Sequence, residues 1–139
     1  MENIAWDEVD KKALHECAVH FVKILFCSQG FEVFQTEKTM AYFVAKAPDH
    51  SALRIYTALS RNNEPPQLKD KCEADDSYDS AGSYICIVRY TDTAPEYYLV
   101  SVGQWKKDSE FWKNLIFSEV TKELLEQYHW TRILPIYLD

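Results

Sequence analysis

Histidine and cysteine residues near the start of the chain are the first side chains that could do chemistry. His15, Cys17 and His20 lie close together where apolar residues repeat every three to four positions. On a helix Cys17 and His20 would share a face, and Zn²⁺ prefers thiolate and imidazole ligands. A structural zinc site needs four ligands, and no second Cys/His pair has a matching spacing. We therefore expect core and surface roles for these residues, and neither a metal site nor another cofactor.

A cysteine nucleophile with a histidine base is the other chemistry that these residue types allow. The cysteines are Cys17, Cys27, Cys72 and Cys86, and the histidines are His15, His20, His50 and His129. No two cysteines have the C-x-x-C spacing, and no local motif pairs a nucleophile with a base. We predict reduced, buried thiols, as in a cytosolic protein, with no catalytic residue among them.

A run of acidic residues lies in residues 61–82, the least regular part of the chain. Its candidate binding residues are Glu73, Asp75, Asp76, Tyr78 and Asp79. The run lacks the glycine and the closing glutamate that an EF-hand needs at fixed offsets. A long acidic loop is either a solvated connection or a surface that docks on a basic protein, where carboxylates mimic phosphates. We predict that these five residues bind such a partner, with the tyrosine as an aromatic contact.

The elements that must position this loop can be predicted from apolar periodicity. One apolar stripe predicts a helix over about residues 7–28, and Gly30 is placed to cap its end. β-Branched and aromatic residues predict strands at 31–35, 40–45, 53–61, 83–90 and 97–102. A final helix is expected from residue 108 to about 128, and a short helical turn around residues 67–72. Trp105 should be partly exposed.

This order of elements predicts one domain, 1–139, of the α/β (α+β) class. The chain has 139 residues, of which 47% are apolar, enough for one hydrophobic core. Three strands should form a meander, and the last two an antiparallel hairpin after the long loop. We expect a mixed, mostly antiparallel sheet of about five strands, flanked by an N-terminal and a C-terminal helix.

Net charge and hydropathy restrict the partners. The formal net charge is −7 and the isoelectric point is about 5.1, which disfavours binding of phosphate backbones over a whole face. The first residues lack the positive and apolar regions of a signal peptide, and no apolar run approaches membrane-spanning length. These features predict a cytoplasmic protein without membrane or nucleic-acid contacts.

The layout resembles the restriction-endonuclease-like superfamily, the PD-(D/E)xK nucleases. The similarity rests on the glycine-led strand at residues 30–33 and on residues 53–61, which are similar to the strand that carries the catalytic lysine. It spans about residues 7–128 and implies a nuclease core. Tyr56 and Ala58 stand where that family has its acid or amide and its lysine, and residues 40–45 contain no acid. The resemblance therefore implies a catalytically degenerate member, because the metal-assisted mechanism lacks its carboxylates and lysine.

Together these features favour a non-enzymatic protein-binding module. The most concrete hypothesis is a small bacterial inhibitor or immunity-type protein that neutralises a basic partner such as a nuclease toxin. One alternative is a divergent metal-dependent nuclease whose ligands have moved to positions such as Glu32, Glu37 or Asp49. Another is a nucleic-acid-recognising subunit with a local basic patch. That patch would consist of Lys38, Lys46, Arg54, Arg61, Lys69 and Lys71.

Overall fold

The computed structural model describes residues 10–34, 42–61, 64–68, 82–91 and 94–134. In these ranges the helices are α1 (Lys11–Ser28), α2 (Val102–Lys107), α3 (Ser109–Lys113), α4 (Glu119–Leu125) and α5 (Trp130–Ile133), with a 3₁₀ turn at Glu126–Tyr128. The strands are β1 (Glu32–Phe34), β2 (Phe43–Lys46), β3 (Ala52–Ser60), β4 (Gln67–Leu68), β5 (Ser83–Arg89) and β6 (Glu96–Ser101). The fold is α+β, with one open sheet between helices.

The sheet is mixed, in the order β1-β2-β3-β5-β6, with β4 paired to the far end of β3. β1, β2 and β3 form the predicted antiparallel meander, and β5 and β6 form the predicted antiparallel hairpin. β3 and β5 are parallel, from Arg54 opposite Ser83 to Ser60 opposite Arg89. This topology confirms the predicted mixed, mostly antiparallel sheet. The prediction of a helical turn around residues 67–72 is wrong for Gln67 and Leu68, the two described residues of that range, because they pair with β3 as a strand.

The two faces of the sheet carry separate apolar clusters. Leu53, Ile55 and Leu59 of β3 point to the face that α1 covers. Tyr56 and Ala58 point to the opposite face, beneath the C-terminal helices. Alternate residues of a strand face opposite sides, so a strand covered on both sides is apolar at nearly every position. This double coverage explains why β3 and β5 read as continuous apolar runs.

α1 ends in a Schellman motif that turns the chain into β1. The amide of Gly30 donates to the carbonyl of Cys27 at 3.1 Å, and the amide of Phe31 donates to that of Phe26 at 3.0 Å. Gly30 has φ +88°, a conformation that glycine adopts without a side-chain clash. The rings of Phe26 and Phe31 meet edge to face, with centroids 5.0 Å apart. The predicted cap at Gly30 is confirmed.

The single helix predicted over residues 108–128 is wrong, because the chain leaves the helical conformation after α3. Leu115 and Phe117 are buried, whereas Ile116 between them is exposed, which is a strand-like alternation. A capping box then begins α4: the amide of Ser118 donates to Thr121 Oγ1 at 2.7 Å, and the amide of Thr121 donates to Ser118 Oγ at 3.3 Å. Trp105 was expected to be partly exposed, but it is buried. Its ring stacks on that of Trp112, with the two ring centroids 5.4 Å apart and an angle of 13° between the ring planes.

The last described segment passes from one face of the sheet to the other around β6. Leu125 belongs to the cluster beneath the C-terminal helices, whereas Leu134 belongs to the α1 cluster. Between them His129 forms an antiparallel bridge with Tyr98 on the outer edge of β6. This crossing places α5 against β6, on the face that α1 covers.

Candidate functional site

The five acidic-loop residues predicted to bind a partner, Glu73, Asp75, Asp76, Tyr78 and Asp79, lie outside the described residues. The described residues on either side of residues 69–81 both join β3. Leu68 pairs with Ala58, and the carbonyl of Gly82 accepts from the amide of Arg54 at 2.9 Å. The acidic stretch therefore begins and ends beside the central strand.

The two positions on β3 where the resemblance predicts the acid or amide and the lysine of a nuclease are part of the core. Tyr56 and Ala58 are fully buried in the cluster beneath the C-terminal helices. The ring of Tyr56 lies 5.4 Å from that of Tyr42, centroid to centroid, and Ala58 lies between Leu68 and Ile87 on the neighbouring strands. At these two positions the strand offers a phenol and a methyl group, neither of which is a typical Mg²⁺ ligand.

Two of the three residues predicted as alternative nuclease ligands, Glu32 and Asp49, lie at one end of the sheet. Glu32 on β1 is opposite Lys46 on β2, and Asp49 follows in the turn to β3. The Asp49 carboxylate accepts a 2.8 Å hydrogen bond from the amide of Ser51, and this bond lowers the pKa of Asp49. Glu37 lies outside the described residues. Within the described ranges, no three His, Cys, Asp or Glu side chains converge on a point that could hold a metal ion.

The predicted basic patch is divided in the part of the chain that the structure describes. Lys46 is opposite Ala52 at the start of β3, whereas Arg61 follows the last residue of that strand. Nine residues of extended chain separate the two ends by about 30 Å. Lys38, Lys69 and Lys71 lie outside the described residues. Lys46 and Arg61 therefore lie at opposite ends of β3.

A charged cluster at the end of the β5–β6 hairpin was missed by the sequence analysis. Arg89 Nη1 donates to Glu96 Oε1 at 2.6 Å, and the Arg89 guanidinium carbon lies 4.8 Å from the centroid of the Phe117 ring. Tyr98, on the same face, meets the His129 ring edge to face at 5.9 Å. Burial raises the pKa of Tyr98, and the nearby Glu96 carboxylate adds to this effect.

The cluster lies at the carboxyl ends of the parallel strands, where open α/β sheets often bind ligands. Arg89 is opposite Ser60 on β3 and Glu96 on β6. The carboxylate and the aromatic ring already engage the guanidinium, so its clearest role is to hold the strand ends together. The pairing of Arg89 with Glu96 could have been predicted from the sequence, because a hairpin that turns between Tyr90 and Pro95 places residues 89 and 96 opposite each other.

The cysteine prediction is wrong for two described residues. Cys17 and Cys27 are exposed, whereas Cys86 is fully buried in β5. Burial raises the pKa of the Cys86 thiol, which keeps it protonated and inert. Cys72 lies outside the described residues. The two exposed thiols belong to the outward face of α1, where Ile24 is also exposed.

Comparison with known proteins leaves the family of the chain open. No protein-family model, no curated protein and no solved structure matches it. The resemblance to the restriction-endonuclease-like superfamily therefore stays a prediction. None of the helices in the described ranges is long and apolar enough to cross a lipid bilayer.

Proposed function

We propose that this protein is a non-enzymatic binding module of the cytosol, an inhibitor of immunity type that neutralises a basic protein such as a nuclease toxin. The distribution of charge carries the proposal. The chain has a net charge of −7, and residues 1–9 and 69–81 each have a net charge of −3. Concentrated carboxylates accelerate association with a basic surface and select against acidic partners.

The attachment of residues 68 and 82 to β3, on either side of the acidic stretch 69–81, supports a role in partner binding. The Leu68–Ala58 pair and the Gly82–Arg54 hydrogen bond join its two sides to β3. β3 is the most deeply covered strand of the sheet, buried at every position from Ile55 to Ser60. A rigid strand at both ends of a binding loop lowers the entropy that must be lost when a partner binds.

The core positions of β3 support the non-enzymatic part of the proposal. Metal-assisted phosphodiester cleavage needs carboxylates that hold Mg²⁺ near the scissile group. Tyr56 and Ala58 occupy the corresponding positions and are covered by packed side chains. Under the family resemblance, the chain is a catalytically degenerate relative that has kept the fold for recognition.

The first experiment is a pull-down of the tagged protein from its native lysate, with mass spectrometry of the bound fraction. One stoichiometric, basic protein is the expected result, and its absence would overturn the proposal. Asp75→Lys with Asp76→Lys should then raise the Kd by about tenfold or more, because two attractive charges become repulsive. Glu110→Lys with Glu123→Lys makes the same change in charge at exposed helix positions and should leave the Kd almost unchanged.

A divergent nuclease is the second candidate, favoured by Glu32, Lys46 and Asp49 at one end of the sheet. Its test is cleavage of plasmid DNA with Mg²⁺ or Mn²⁺. Metal-dependent cleavage that is lost in Asp49→Ala would support this candidate against the binding module. A wild-type protein that leaves the plasmid intact under both metals would remove it.

A further inference from the structure

We draw no further inference here: the strongest candidate, the surface patch of Phe34, Lys46 and Arg54 on the face of β1, β2 and β3 opposite α1, places two cations beside an exposed aromatic ring, but nothing in the described ranges shows what covers it.

Discussion

Arg89 and Glu96 face each other directly across the β5–β6 hairpin, with Nη1 of the arginine 2.6 Å from Oε1 of the glutamate. Their side chains are only 18% and 29% exposed, so water screens the pair less than it would a surface ion pair. The guanidinium also lies against Phe117, in the segment between α3 and α4. One arginine thus connects the hairpin to the C-terminal helices.

This arrangement predicts coupling between the two charged residues. Glu96→Gln should lower the free energy of unfolding by about 1–2 kcal/mol, because a partly buried guanidinium loses its charged acceptor. Arg89→Met combined with Glu96→Gln should cost less than the two single changes added together. Urea unfolding of the four proteins gives the interaction free energy, and additive losses would show that the pair is not coupled.

Two glycines of the chain should respond oppositely to alanine. Gly30 has φ +88°, and Gly30→Ala should destabilise the fold by about 1–2 kcal/mol because an L residue is strained there. An added Cβ has ordinary space, with the nearest atom, Pro48 Cγ, 3.7 Å away. The control is Gly103→Ala in α2, where the added Cβ meets nothing within 4 Å beyond its chain neighbours and the backbone of its own helix. It should stabilise by about 0.5–1 kcal/mol through helix propensity, and equal signs would contradict the backbone argument.

Thiol reactivity should separate the cysteines by burial. In a Cys72→Ser background, Cys17 and Cys27 should react quickly with an aromatic disulfide reagent under native conditions. Cys86 should react only after the chain unfolds, because it is fully buried and burial raises its pKa. The absorbance of the released thiolate counts the reacting groups. Fast reaction of Cys86 in the native protein would contradict its place in the core.

Stability should fall at alkaline pH. The Tyr90 hydroxyl donates to the carbonyl of Leu14 at 2.9 Å, and burial raises the pKa of Tyr90. In the unfolded chain tyrosine ionises at a pH of about 10, whereas the folded chain keeps the proton to a higher pH. Between these values the folded state binds more protons, so the free energy of unfolding decreases as the pH rises.

Tyr90→Phe provides the comparison for this pH effect. The variant should be less stable at pH 7, because the carbonyl of Leu14 loses its donor, but its stability should fall less steeply from about pH 9 to 11. Denaturant unfolding at several pH values gives both slopes. Identical slopes for the variant and the wild type would show that the Tyr90 proton is not linked to unfolding.

Local patterns of the sequence determined most of the elements. The apolar stripe of α1, the glycine at its end and the continuous apolar run of β3 are each specified by neighbours within a few residues. A helix or strand that buries one face has apolar residues with a period of 3.6 or 2, and this pattern can be recognised without knowing the rest of the fold. The meander and the hairpin were also predictable from local sequence, because short connections favour antiparallel neighbours.

Only the tertiary structure decided how these elements meet. The parallel pairing of β3 with β5 joins residues about thirty apart, and no local signal distinguishes it from other pairings. The break after α3 arises because Leu115 and Phe117 both reach the core, which a continuous helix would prevent. Periodicity alone does not say which face of α1 packs on the sheet. Cys17 and Cys27 were predicted to be buried because free cysteine usually is, although burial of a side chain depends on the partner that covers it.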